Sequence, residues 1–158
     1  MVHNDNLKFM AENLFSKVEE MSEILEKAKS FFVACEAGKG WEGCKKYCHS
    51  DATFSAQAET LSEVNTVEGY TEWVKGLFIP LPDNHYELKF FAEDVERECV
   101  TAYAIFHGTQ TGPGGPGDPT GKTIAADYVY AMRFEEGLIR HLTKIWNDIT
   151  SLKQLGWA

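Results

Sequence analysis

The sequence predicts an α+β domain in which helices come first and pack on one face of a long antiparallel sheet. Three observations predict it. An apolar repeat with helical spacing occupies the first stretch of the chain, and four extended runs follow one another through its second half. The dipeptide Glu136-Gly137 marks a tight hairpin between the last two runs. Helices followed by a long antiparallel meander are the order of an α+β domain.

The elements follow in order. Over residues 7–37, Val18, Met21, Leu25, Ala28, Phe32 and Cys35 recur at spacings of three and four, and Ile24 and Phe31 widen the stripe. Glu19, Glu20, Glu23, Glu26, Lys27 and Lys29 fill the opposite side, and Gly38 and Gly40 end the helix. Residues 41–49 read as a short second helix with Trp41, Cys44 and Cys48 on one side. Asp51 to Ala58 alternates as a strand, and residues 67–78 return to helical spacing until Pro80 and Pro82. His85–Ala92, Glu98–Thr109, Thr123–Glu135 and Leu138–Asn147 are then extended, with strand-like character expected to the end of the chain. Gly112–Pro119 is too rich in glycine and proline for helix or strand and is expected to form a long exposed loop.

With 158 residues, no internal repeat and no linker, the chain is expected to be one domain, 1–158, in which 1–16 form an N-terminal helical extension. Fifteen Lys+Arg against 24 Asp+Glu give a formal charge of −9, which disfavours nucleic acid and anionic lipid as partners. No secretory signal pattern is present and no apolar run approaches the ~20 residues needed to cross a bilayer. A cytoplasmic protein with its four cysteines reduced is the expectation. Cys44, Cys48 and His49 lie close together but lack a second ligand pair at zinc spacing, so no metal is expected. Gly121-Lys122-Thr123 resembles the end of a phosphate-binding loop, but the required earlier glycine is Pro116 and the residues that follow read as strand rather than helix.

The candidate chemistry lies on the last strands. A period of two puts His141, Thr143, Ile145 and Asn147 on one face, and Arg140, Leu142, Lys144, Trp146 and Asp148 on the other. One of these faces must meet the helices, so polar groups are carried inward and need partners, water or a ligand. In the preceding strand Tyr128, Tyr130, Met132 and Phe134 share a side. This row is either sheet packing or, with His141 and Gln57, the wall of an apolar pocket with a few convergent polar groups. Asp127 and Asp148 are either pocket acids or ion-pair partners of Arg133, Arg140 or Lys144. Trp146, Tyr70 and Trp73 read as core or pocket wall.

Phe106-His107-Gly108-Thr109-Gln110-Thr111-Gly112 followed by Pro119-Thr120-Gly121-Lys122 resembles the GTHTG…PTGK stretch of SnoaL-like polyketide cyclases. The Arg133–Ile139 hairpin and the terminal Gln154-Leu155-Gly156 are also similar, so the resemblance runs from about Ser30 to the C-terminus. That family belongs to the nuclear-transport-factor-2-like (cystatin-like) group with ketosteroid isomerase and scytalone dehydratase. The resemblance implies three helices on the concave face of a curved, cone-shaped, mixed but mostly antiparallel sheet open to a small hydrophobic molecule, a homodimer formed through the outer sheet face, and carbonyl acid–base chemistry without metal or organic cofactor. The family's acid on the last strand corresponds to Asn147, with Asp148 one residue later. Its tryptophan four residues earlier corresponds to Thr143, and the histidine of GTHTG to Gln110. The resulting expectation is a cofactor-independent cyclase, isomerase or dehydratase. Asp148 or His141 would transfer the proton and Asn147, Tyr128 and Tyr130 would stabilise the oxygen, with Phe54, Gln57, Trp73 and His107 lining the pocket. The alternative is a non-catalytic small-molecule-binding or protein-interaction dimer module of the same fold.

Overall fold

The computed structural model describes residues 2–158, apart from the side chains of residues 2–4 and 20–22. Four helices, α1 (Val2–Glu36), α2 (Gly40–Cys44), α3 (Val67–Gly76) and α4 (Asp148–Leu155), accompany five strands. These are β1 (Cys48–Ala56), β2 (His85–Asp94), β3 (Cys99–Thr109), β4 (Thr123–Glu135) and β5 (Leu138–Trp146), in the sheet order β1-β5-β4-β3-β2. Neighbours are antiparallel except β1, which pairs with β5 in parallel, so the sheet is mixed and mostly antiparallel as predicted. Bulges between Leu88 and Phe90 and between Arg133 and Phe134 interrupt the ladders, and interruptions of this kind bend and twist a sheet.

The apolar stripe of α1 becomes core where the helix meets the sheet. Ile24, Ala28, Phe31, Phe32 and Cys35 are buried at helical spacing. Val18, predicted on the same stripe, is exposed, and Met21 lies outside the described residues. Ahead of the core-facing half, α1 carries exposed Leu7, Phe9, Met10, Leu14 and Phe15. The helix stops at Gly38, whose φ of +69° lets the Gly38 and Lys39 N–H groups return to the carbonyls of Cys35 and Ala34. A β-carbon there would meet the Phe78 ring at 2.6 Å.

Several element boundaries differ from the sequence expectation. The second helix ends at Cys44, a 3-10 turn covers Lys45–Tyr47, and Cys48 already begins β1. The strand that was expected to run through Asn147 stops at Trp146, and the chain turns into α4 rather than staying extended. The Asn147 side chain accepts the Thr150 N–H as N-cap, and Gly156 closes the helix at φ +72°. The Glu136-Gly137 hairpin forms as predicted, with φ of +52° and +76° at its two residues.

Residues 110–122 form a tethered loop, mostly exposed but closely braced. Gln110, wholly buried, exchanges backbone bonds with Lys122 and Gly121, and its side chain donates to the Gly112 carbonyl at 2.9 Å and accepts from the Thr120 N–H. Gly112 N–H reaches the Pro80 carbonyl at 3.1 Å, and Thr120 Oγ1 donates to the Leu155 carbonyl at 2.8 Å. A β-carbon on Gly112 would stand 1.9 Å from the Ile79 carbonyl oxygen, so only glycine permits this approach. The loop is thereby fixed beside the end of α3 and α4.

Candidate active site

An apolar cavity of about 480 Å³ opens between the inner face of the sheet, the end of α3 with the turn after it, α4 and the tethered loop. The sheet contributes Phe106, Ile124, Tyr128, Lys144 and Trp146. Trp73, Leu77, Ile79, Pro80 and Leu81 form the opposite wall; Ser151, Leu152, Leu155 and Trp157 close the side. Lys144 is the only charged residue of this lining.

The position of Lys144 follows from strand geometry. Along β5, Leu142, Lys144 and Trp146 point inward while His141, Thr143 and Ile145 point outward, as the period of two requires. Only 8% of Lys144 is exposed, and its Nζ lies 4.5 Å from the centre of a Trp146 ring, 5.1 Å from Tyr128, 5.2 Å from Trp73 and 5.4 Å from Tyr70. Among the described residues the amine has no hydrogen-bond acceptor and no carboxylate at ion-pair distance. The electron-rich ring faces favour the ammonium form, yet loss of water costs more, and burial pulls the Lys144 pKa down to about 8, with Glu36 opposing the shift.

Behind the cavity wall lies a buried polar cluster. Tyr128 donates to Glu36 Oε2 at 2.8 Å and Tyr130 donates to Glu36 Oε1. With the Tyr130 proton committed to Glu36, Tyr70 supplies the hydrogen of the 2.6 Å contact between the two phenols. Burial raises the Glu36 pKa, while Lys144 and the two tyrosine bonds oppose it. The tyrosines are held neutral, their pKa values driven upward by burial and by Glu36. The Glu36 oxygens and the three phenol hydroxyls all have partners within the cluster, so it is internally satisfied.

The structure brings some of the sequence-selected residues together and separates others. Trp73 and Tyr128 line the cavity; Phe54, stacked on Tyr70 at 4.4 Å, and Tyr130 stand one layer behind it. Gln57, Asn147 and Asp148 border a second, adjoining depression at the β1–β5 edge, which shares Lys144 and Trp146 with the cavity. Asp148 is inward-facing, but one carboxylate oxygen accepts the Thr60 N–H at 3.0 Å and braces the segment after β1. Asn147 is engaged as the α4 cap. His141 and His107 are on the opposite, outer face of the sheet and not in the cavity. His141 sits between Thr53 at 2.7 Å and Ser55 at 2.9 Å, and His107 stacks on His85 at 5.2 Å. The physical reason is parity, since both histidines alternate with buried residues.

Possible ion pairs resolve differently from expectation too. Arg140 pairs with Asp51 at 2.7 Å, Asp127 accepts the Tyr103 hydroxyl at 2.6 Å, and Lys144 takes no acid. Cys44 and Cys48 are buried core, and His49 bonds to the Glu135 carbonyl at 2.6 Å. Sequence reasoning missed Glu36 and Lys144 as site residues. Lys144 had a signal, because it shares the inward face with Leu142 and Trp146. Glu36 had only its place one residue after Cys35 at the end of the apolar stripe.

The fold is an α+β scaffold with N-terminal helices on a curved five-stranded sheet and an apolar cavity on the sheet's inner face. The sequence profile of the SnoaL-like polyketide cyclase family matches residues 26–155, and the chain belongs to that family. Among solved structures, a protein of Jannaschia sp. CCS1, provisionally titled a SnoaL-like polyketide cyclase, superposes with a TM-score of 0.71 at 14% identity, covering 87% of this chain and 94% of its own. AclR of Streptomyces galilaeus, provisionally a hydroxylase, gives 0.69 at 18% identity and 87% coverage of both chains. IdmH of Streptomyces antibioticus, provisionally a polyketide cyclase, gives 0.68 at 18% identity, covering 84% of this chain and 98% of its own. No curated protein matches the sequence significantly. Among the described residues no helix is long and apolar enough to cross a membrane.

Proposed function

We propose that the protein is a cyclase-type acid–base enzyme acting on a hydrophobic carbonyl compound, with Lys144 as the group that draws charge from the carbonyl. The observation that carries this reading is the solitary amine of a nearly buried lysine on the wall of an otherwise uncharged cavity. A positive group in a water-poor site stabilises a developing enolate far more than it would in solution. The cavity size suits a molecule of a few fused or linked rings.

Tyr128 connects this wall to Glu36. As its hydroxyl proton moves to Glu36, the phenol oxygen can accept a proton from the substrate, so the pair acts as a relay with no free phenolate. The raised Glu36 pKa makes the carboxylate a better proton acceptor than an ordinary exposed one. The test is turnover of a panel of aromatic and polycyclic ketones by wild type, Lys144→Met and Tyr128→Phe. Both variants are expected to lose activity by at least tenfold; unchanged turnover in Lys144→Met would remove the assignment.

A carrier without catalysis is the second reading, favoured by the absence of any carboxylate among the cavity-lining residues. Native mass spectrometry separates the two, because a carrier retains an unaltered ligand. The homodimer implied by the family resemblance would use the outer sheet face, where Phe90 and Ile145 are exposed and Phe90 packs on Tyr103. Light scattering on Ile145→Lys tests it. Four free cysteines fit a reducing, cytoplasmic setting.

A further inference from the structure

Lys144 combines three properties that rarely coincide. Its side chain is nearly buried, its amine reaches an apolar cavity large enough for a ring system, and no acid or hydrogen-bond acceptor among the described residues ties it down. Most lysines of the chain lie at the surface, several in ion pairs such as Lys29 with Glu26 and Lys45 with Glu42. An ammonium in bulk water is almost never a nucleophile at neutral pH, because the lone pair is occupied by a proton. A desolvated amine is the standard way to make lysine nucleophilic.

We propose that Lys144 forms a covalent imine with the carbonyl carbon of a hydrophobic ketone or aldehyde held in the cavity. This inference rests on the reading of the cavity as a carbonyl site and specifies how the amine draws charge from the carbonyl. The neutral amine's lone pair attacks the carbonyl carbon, and the oxygen takes a proton to give a carbinolamine. Loss of water then leaves a protonated imine, so ammonium and carbonyl are converted into iminium and water. No oxidant or reductant is required.

The iminium withdraws electrons from the neighbouring carbon, whose proton passes to the Tyr128–Glu36 relay while the C–H electron pair forms the C=C bond of an enamine and the C=N π pair returns to nitrogen; reprotonation at carbon restores the iminium. Hydrolysis of the iminium returns the carbonyl and the free lysine. The four rings around Nζ suit this cycle, since they stabilise the cationic ammonium and iminium states through their faces without offering an acid that would lock the amine. The burial-lowered pKa of about 8 leaves an appreciable neutral fraction at pH 7 to 8.

The experiment is reductive trapping. The protein is incubated with 2-naphthaldehyde, reduced with cyanoborohydride and analysed by intact and peptide mass spectrometry. One adduct is expected, located at Lys144. Because trypsin does not cut after an alkylated lysine, the adduct appears on the joined peptide 141–153. Labelling should be suppressed by an apolar competitor ligand and drop at least tenfold in Lys144→Met. An adduct spread over surface lysines, or unchanged in Lys144→Met, overturns the proposal.

Two controls separate this from the underlying reading. Quenching of tryptophan fluorescence by the aldehyde reports binding, since Trp73, Trp146 and Trp157 line the cavity. Quenching without trapping overturns the imine and leaves the carbonyl site standing; neither quenching nor trapping overturns both. Lys144→Arg keeps the positive charge but cannot form an imine, so retained ketone turnover in that variant also overturns the covalent step alone.

Discussion

Lys144 and Glu36 meet through a single side chain: the Tyr128 hydroxyl donates to Glu36 at 2.8 Å, and the Lys144 Nζ stands 5.1 Å from the centre of the same ring. The cavity wall and the buried carboxylate are therefore parts of one electrostatic unit. Each of the two groups moderates the burial-driven shift of the other.

Lys144→Met is expected to leave the protein folded and as stable as wild type, or more stable by about 1–2 kcal/mol, because a similarly shaped apolar group replaces a desolvated amine. The pH dependence has a defined sign. The native lysine titrates near 8 and the unfolded one near 10.5, so between these values the unfolded chain binds more protons. Wild type should gain stability relative to Lys144→Met as pH rises through that window. Denaturant unfolding at pH 7.5, 9 and 10 checks it, and a constant difference would contradict it.

Glu36→Gln removes an acceptor that serves two tyrosines and leaves an amide whose donors face phenol oxygens. A loss of about 1–3 kcal/mol is expected, typical of disrupting a buried hydrogen bond. The same variant removes the negative charge that favours the Lys144 ammonium, so the amine should titrate lower still. Thermal unfolding and lysine NMR measure the two effects separately.

Tyr128→Phe and Tyr130→Phe should separate relay from scaffold. Tyr130→Phe breaks the bonds to Tyr70 and Glu36 and is expected to act mainly on stability, again by about 1–3 kcal/mol. Tyr128→Phe should lower kcat while leaving ligand binding within a few-fold. Parallel calorimetry and ketone turnover test the contrast.

His141→Ala should leave cavity binding unchanged, because the imidazole is on the outer face among Thr53, Ser55 and Thr143. Its loss costs only partly exposed hydrogen bonds, so a stability change within about 1 kcal/mol is expected. Titration of a fluorescent apolar ligand into the variant is the measurement.

The architecture could be read from the sequence because its signals are local and repeated. The α1 stripe at Ile24, Ala28, Phe31, Phe32 and Cys35, the alternating Tyr128–Phe134 row and the Glu136-Gly137 turn each specify an element alone. The α4 helix was obscured since Trp146-Asn147-Asp148 continues an extended pattern, and its start depends on Asn147 turning to cap Thr150, while Gly156 marks only its end. The site was harder to read for a related reason. Alternation along β5 identifies two faces correctly but does not reveal which one meets the helices, and the more familiar catalytic residue, His141, fell on the outer one. Glu36 and Lys144 are 108 positions apart and become a pair only when the end of α1 crosses the inner face of β4 and β5.

The most direct measurement is the titration of Lys144 itself, followed by NMR of ¹³Cε-labelled lysine with Lys144→Met for assignment. A resonance with a midpoint near 8, displaced when an aromatic ketone occupies the cavity, is the predicted result. A midpoint near 10.5 that the ketone leaves unmoved would contradict the account.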